Sequence, residues 1–526
     1  MTGIVNSLLL FVSLAITLAF FAYGFNIFYM IHLAKKYKAP PRVPIDSKPL
    51  VAVHLPIYNE RYVAERLVAS CMDSAQHYGK DLVHITILDD SDDETTEILE
   101  KTAAQYRSKG FNVTVLHRSN RSGYKAGALN NALMTASEDY LVVFDSDFLP
   151  RKEFFEKAIS YIISDKKLGV VQFRWNYANR NYNWITKSVA IGMDAHFLIE
   201  QPGRFAGGLF LNFNGSAGII RISALKESGG WQTDTLAEDL DMSYRIQMKE
   251  YQIKYVMDDV PCEITPTVAS FKRQQGRWAR GSLQVTKKLL PQLVRRSDIG
   301  IKKKFEAFIH LTYYGVHPLM FASFLLTTFA AIFNIDSIRV VLPTQQEIQS
   351  LGRIGSSTAL TTPVWIVFGL FILLSTTAAW IYYLTAMKMQ HFSVLRNLQH
   401  LVTLGLLGYG ISVSNSVQAT KAFLLKSSGK FERTPKYAII GNNGSWKDKR
   451  YQVPLDMTSM IEAGSVVLAV LAIIRALYFG NYGILVILGV YFTSFLLVFS
   501  GTILQRGEDK VWSYQVCLIH EEEAKS

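Results

Sequence analysis

The sequence predicts an α/β domain with a mostly parallel sheet flanked by helices, joined to an α-helical transmembrane region. Three observations carry this reading. Between residues 50 and 173, short apolar runs alternate with helical patterns of about a dozen residues, the signature of βαβ units and a parallel sheet. Two of these runs end in carboxylates, Leu88-Asp89-Asp90 and Leu141-Val-Val-Phe144-Asp145-Ser-Asp147, at the strand ends where open α/β folds bind ligands. Outside this domain, five runs are long and apolar enough to cross a bilayer of ~30 Å.

The membrane reading rests on composition and on where the charge falls. The 526 residues are 49% hydrophobic and carry a net charge of +12. The five runs lie near residues 5–32, 307–334, 361–387, 457–479 and 481–502. Lys35, Lys36, Lys38 and Arg42 follow the first, and Lys302, Lys303 and Lys304 precede the second. By the positive-inside rule both flanks are cytoplasmic, and so is everything between them. No basic residue precedes the first run, so residues 1–34 read as a retained anchor with its N-terminus outside. Charge placed at membrane ends fits topology and anionic headgroups rather than nucleic acid. Cys71, Cys262 and Cys517 have no metal-like spacing and imply no disulfide framework.

A sixth run, 397–425, carries Asn397, Gln399, Asn415, Gln418 and Lys421. Basic residues flank it on both sides: Lys388, His391 and Arg396 before, then Lys426, Lys430, Arg433 and Lys436 after. It therefore reads as an interfacial or re-entrant segment, followed by a cytoplasmic loop over 426–455. That leaves five spans in all, the anchor and four within 306–526, with the C-terminus inside.

Taken in order, Leu50–Leu55 is the first strand, broken by Pro56. Asn59 is expected to cap a helix whose Val63, Leu67 and Cys71 recur every four residues. Residues 82–88 form the second strand, Phe111–Leu116 the third, Leu141–Phe144 the fourth and Gly169–Phe173 a fifth. Lys125, in a glycine-bearing helix entry, suits either a phosphate or solvent. Residues 175–235 are rich in aromatics, Asn and Gly, among them Trp175, Tyr177, Trp184, Phe213, Asn214, Gly215 and Trp231. Single rings of this kind usually pack a core, but such a cluster beside carboxylates suits a sugar. Residues 237–249 start a helix with Glu238, Asp239 and Asp241 in its first turn. One acid there complements the helix dipole, and three exceed that need. From about 268 to 305 a basic stretch interspersed with Leu, Val and Trp reads as amphipathic helices at the membrane surface. The resulting layout is a soluble domain over 45–268, interface helices over 269–305 and the membrane region beyond.

Two carboxylates at a strand end make an all-oxygen site for Mg²⁺ or Mn²⁺, and so for a diphosphate. Asp89-Asp90, Asp145-x-Asp147, Glu238-Asp239 and Gln274-x-x-Arg277-Trp278 occur in that order, with a span before and several after. Together they resemble the membrane-embedded family 2 glycosyltransferases, which include cellulose, hyaluronan and mannan or glucomannan synthases. The similarity is strongest to the mannan and glucomannan synthase-like branch (cellulose synthase-like A) of the cellulose synthase superfamily, through Leu88-Asp-Asp-Ser-Asp-Asp93, Gly123-Tyr-Lys-Ala-Gly-Ala128, Phe213-Asn-Gly-Ser-Ala-Gly218 and Gly229-Gly-Trp231. The resemblance covers residues 50–300 and, by layout, the membrane part.

It implies a GT-A glycosyltransferase domain and the following roles. Asp89 and Asp90, with Glu60, would bind the nucleotide end of the donor. Lys125 and Asp145 would face the diphosphate, and Asp147 with Asp145 would hold Mg²⁺ or Mn²⁺. Asp239, with Glu238 beside it, would be the general base. Gln274, Arg277, Trp278 and Gly215 would hold the acceptor end and the pyrophosphate. Phe431-Glu-Arg-Thr434-Pro-Lys436 looks like the gating-loop motif Phe-x-Val-Thr-x-Lys, with Arg433 where valine is usual.

The implied function is that of an inverting, processive hexosyltransferase that extends a β-linked polysaccharide from a nucleotide sugar, UDP-glucose or GDP-mannose in class, and exports it across the lipid bilayer. Transfer of one sugar to a lipid acceptor, a polyprenyl phosphate or a ceramide, is the alternative. Accessory subunits are compatible with either, and neither involves nucleic acid. A transporter with a nucleotide-sensing domain is disfavoured, because no span shows a charge deep inside it.

Overall fold

The computed structural model describes residues 2–335, 361–425, 429, 431–447, 449 and 456–505. Seven strands form one sheet: β1 (Val51–Ile57), β2 (Val83–Asp89), β3 (Asn112–His117), β4 (Tyr140–Val143), β5 (Leu168–Tyr177), β6 (Gly218–Arg221) and β7 (Gln252–Cys262). Their order is β3-β2-β1-β4-β6-β5-β7. β1 runs parallel to both β2 and β4, with Val51 opposite Val83 on one side and Tyr140 on the other. Only β6 is antiparallel to its neighbours. The chain reverses its direction of sheet growth between β1 and β4. The loops that follow those two strands therefore open into one crevice.

The strand residues alternate between two apolar layers. In β4, Val142 packs with Leu67, Cys71, Phe155 and Ile159 on one face. Leu141 and Val143 pack with Leu129, Leu133, Met242 and Ile246 on the other. Burial on both faces explains the uninterrupted apolar run read from the sequence. Each such Leu or Ile side chain is worth ~1.5–3 kcal/mol.

Five of the seven strands match the expectation. β6 is a four-residue strand inside the aromatic stretch, too short to show a period. β7 (Gln-Ile-Lys-Tyr-Val-Met-Asp-Asp-Val-Pro-Cys) carries Asp258, Asp259 and Pro261, a composition tolerated because it forms the sheet edge. The helix after β1 starts at Ala64 with no side-chain cap, not at Asn59. Asn59 instead adopts a left-handed φ of 52° and exchanges two hydrogen bonds with Asp92, at 2.7 and 3.0 Å. It pins the loop after β1 to the loop after β2.

Among the described residues, four helices are long and apolar enough to cross a membrane: Phe11–Ala34, Ile301–Phe333, Met457–Tyr478 and Tyr482–Leu504. The run 361–387 falls in helix Thr361–Met389, and the side chains of 361–372 lie outside the described residues. The polar run 397–425 forms two shorter helices, Val394–Gly410 and Ser412–Leu424. Helix Val268–Arg295 packs between the sheet domain and the apolar helices, with Ala279, Leu283, Val285, Leu289 and Leu293 buried. Cys71 and Cys262 are buried free thiols, while Cys517 lies outside the described residues.

Glu462 sits in the second turn of Met457–Tyr478 and is 0% exposed. Lys272 pairs with it at 3.1 Å, near the start of the helix rather than deep within it. That charge reads as apolar-compatible only once its lysine, distant in sequence, is in place.

Candidate active site

Helix Tyr124–Thr135 enters through Gly123, whose φ of 70° allows the tight turn. This sets Lys125 one residue into the helix, where its ammonium lies 2.6 Å from Asp145 Oδ1 and donates to the Gly215 carbonyl at 3.1 Å. Glu238 Oε1 stands 3.5 Å away. Burial opposes the charge on Lys125, but Asp145, Glu238 and Asp239 outweigh it and hold its pKa above the ordinary lysine value. The lysine is thus a fixed cation at the foot of the crevice rather than a solvated one. Asp145 is fixed in turn, its backbone N–H donating to Ser216 Oγ at 3.0 Å.

The Phe213–Gly218 turn crosses directly over helix Glu238–Met248. Gly215 has a φ of 79°, and a Cβ there would lie 2.8 Å from Asp239 Oδ2. Only glycine lets the turn approach the carboxylate this closely. Burial first, then the neighbouring Glu238, pushes the Asp239 carboxyl up to about 7, with Lys125 and Arg277 pulling against them. A carboxylate poised near neutrality is matched to general-base work.

The two β2 carboxylates separate. Asp89 is 0% exposed and turned inward, accepting from Ser91 N (3.0 Å), Thr96 Oγ1 (2.7 Å) and His117 Nδ1 (2.8 Å). Asp90 lines the crevice and receives a two-pronged contact from Arg118, at 2.7 and 2.6 Å. Beside it the Arg121 guanidinium sits over Tyr58, 3.3 Å from the ring centroid. Tyr58, Arg118 and Arg121 were not singled out from the sequence. Arg118 becomes visible only once parallel pairing sets β3 beside β2.

Helix Val268–Arg295 closes the far side. Arg277 lines the crevice, its guanidinium 4.9 Å from the Phe431 ring. Gln274 and Trp278 stand half-buried on adjoining positions of the same helix. Segment 431–436 lies across the mouth as a strap. Glu432 pairs with Arg273 at 3.4 Å, Arg433 with Glu60 at 3.1 Å and Lys436 with Asp147 at 2.7 Å. Burial raises the Glu60 carboxyl to about 8 against the pull of Arg433 and Lys436. Thr434 is buried beneath the strap. The open space is about 110 Å³, lined in part by Phe431, Arg433, Thr434 and Lys436 of the strap, and is below the roughly 300–1,000 Å³ of ligand pockets.

The donor set for a divalent cation is the Asp145–Asp147 pair. Among the described residues, no group of three or more His, Cys, Asp or Glu could hold a metal. Asp147 Oδ1 is buried without a hydrogen-bond partner, and its Oδ2 is neutralised by Lys436. One or two carboxylates, with phosphate oxygens and water completing the shell, is how Mg²⁺ is usually held at nucleotide sites. The residues present fit that arrangement.

Residues 52–228 match the family described as Glycosyl transferase family 2, and that part of the chain is a family 2 glycosyltransferase domain. Glucomannan 4-beta-mannosyltransferase 7 of Arabidopsis thaliana is 34% identical over 264 residues, 49% of this chain and 47% of that protein. Glucomannan 4-beta-mannosyltransferase 1 of Oryza sativa subsp. japonica is 30% identical over 308 residues, 57% of this chain and 58% of that protein. The chain thus spans about half the length of the curated relatives it matches. Among solved structures, a mannosyltransferase from Pyrobaculum calidifontis in complex with GDP-Man and Mn2+ aligns with a TM-score of 0.47 at 20% identity, over 70% of this chain and 97% of that one.

Proposed function

We propose that this chain is an inverting hexosyltransferase that adds sugars from a nucleotide donor, mannose-class first, to a growing β-linked polysaccharide. The observation that carries the proposal is the convergence of Asp145, Glu238 and Asp239 on the buried Lys125. The names of the curated relatives support mannosyl transfer and a glucomannan-like product.

In the proposed reaction an acceptor hydroxyl attacks the anomeric carbon as the bond from that carbon to the diphosphate oxygen breaks. Asp239 takes the hydroxyl proton, and the nucleoside diphosphate departs with the bonding electron pair. A cation at Asp147 and Asp145, when bound, would offset the charge growing on the leaving group. Lys125 holds Asp145 toward the diphosphate, and Arg277 can grip it with two parallel N–H donors as lysine cannot. Asp90 and Arg118, with Tyr58 and Arg121, form the end of the crevice suited to the nucleoside. Trp278 offers a ring for the acceptor's terminal sugar.

We also propose that the sheet domain faces the cytoplasm, that the membrane helices pass the product outward, and that strap 431–436 withdraws to admit the donor. The lysine and arginine flanks support the orientation. The test is an assay of the detergent-purified chain with Mn²⁺ or Mg²⁺ and radiolabelled GDP-mannose, UDP-glucose and UDP-N-acetylglucosamine. Label in an ethanol-insoluble, glycanase-sensitive polymer is the expected result. Label confined to the lipid-extractable fraction would overturn the polymer reading, and no transfer from any donor would count against the transferase itself.

A further inference from the structure

Helix Val268–Arg295 reaches two parts of the molecule at once. On one side Arg277 lines the donor crevice, and Arg273 and Arg277 hold strap residues Glu432 and Phe431. On another, Lys272 is 5% exposed and points into the membrane helices, where its ammonium meets Glu462 at 3.1 Å and Ser459 Oγ at 3.2 Å, with Asp456 at 3.7 Å. Lys272 and Arg277 are five positions apart, which turns them ~140° apart around the helix and ~7.5 Å along it. An anchor on one face therefore sets the rotation and height of the other.

We infer that Lys272 and Glu462 form a positioning pair that fixes where Arg277 stands in the donor site, so that the last membrane helices and the catalytic crevice are mechanically one unit. This rests on the proposed transferase function. Neither residue touches the crevice.

Three features point to positioning rather than to plain cohesion. First, a buried ion pair is a poor device for stability, since an apolar pair of similar volume usually serves as well or better. What it adds is a directional contact, here with a hydroxyl as third partner, that apolar packing cannot supply. Second, the same end of the helix is tied again to the last membrane helix, where the Val268 N–H donates to Gln505 Oε1 at 2.7 Å. Third, Gly276, next to Arg277, lets the helix lie close on Ser412–Leu424, where a Cβ would sit 3.2 Å from Gln418 Cγ. Rotation is thus limited at three points along the turns that lead into Arg277.

The test uses the full chain in lipid nanodiscs and reads three quantities: thermal midpoint, Kd for GDP and UDP with Mn²⁺, and donor KM and kcat. Lys272→Met/Glu462→Met is compared with Arg277→Ala and with the triple variant. The apolar pair should keep its thermal midpoint yet bind nucleoside diphosphate about 10-fold more weakly. Its donor KM should rise with little change in kcat, and adding Arg277→Ala should cost nothing further. The charge swap Lys272→Glu/Glu462→Lys should restore part of the affinity. If the apolar pair fails to fold, Glu462→Gln replaces it under the same criteria. Wild-type affinity in the apolar pair, or losses that add in full to those of Arg277→Ala, would overturn the inference. A wild-type chain that binds neither GDP nor UDP would sink the transferase reading instead.

Discussion

The Lys436 ammonium lies 2.7 Å from Asp147 Oδ2, so a side chain of the strap occupies the carboxylate that a divalent cation would take. The two charges are exchangeable in principle: one comes from the chain, the other from solution. If Asp147 holds a cation and the strap withdraws as proposed, closing the strap and loading the site compete for one carboxylate.

This competition gives a first prediction. Lys436→Met should lower the Mn²⁺ concentration for half-maximal binding several-fold in the absence of donor, because the competing ammonium is gone. Asp147→Asn should abolish binding. Electron paramagnetic resonance of Mn²⁺ titrated into the full chain reads both. Unchanged Mn²⁺ binding in Lys436→Met would show that the two cations do not share the site.

Asp239→Asn should cut kcat by about 10²–10⁴-fold, the range for loss of a general base, with nucleoside diphosphate affinity altered less than about threefold. Steady-state kinetics beside calorimetric binding checks the split. Near-normal turnover would remove Asp239 from the base role.

The same carboxyl predicts a pH response. With Asp239 as the proposed base, transfer requires its ionised form, so kcat/KM should rise with pH and level off above about 7. Stability runs the other way. The folded pKa lies above the unfolded one, so the folded state holds the extra proton and its stability falls as pH rises from the ordinary aspartate value toward 7. Asp239→Asn lacks this group, and its thermal midpoint should gain on the wild type across that window and run parallel to it above.

Gly215→Ala should lower kcat at least about 10-fold while costing ~1–2 kcal/mol for the left-handed backbone. The new Cβ would meet Asp239 Oδ2 at 2.8 Å, displacing the carboxylate. Gly208, whose φ of 61° has open space around it, is the control: alanine there should cost stability alone.

Much of the site was legible in the chain because chemistry and position coincide at strand ends. Asp145 and Asp147 follow an apolar strand, and Glu238 and Asp239 open a helix, so their local context announces them. Asp89 and Asp90 looked equivalent by the same logic. Pleating decides otherwise, since adjacent residues point to opposite sides: Asp89 turns in toward Thr96 and His117, and Asp90 turns out toward Arg118. Arg433 read as a departure from a motif, and it is the partner of buried Glu60.

Sequence alone determined the α/β class, five strands, the apolar helices and the residue types of the site, because burial period, span length and strand-end carboxylates are local properties. Tertiary structure decided which charges meet. Lys125 with Asp145, Lys436 with Asp147, Arg433 with Glu60 and Lys272 with Glu462 join stretches 20 to 373 residues apart. No local pattern encodes those pairings. Each exists because folding buries a charge that must be neutralised where it lands.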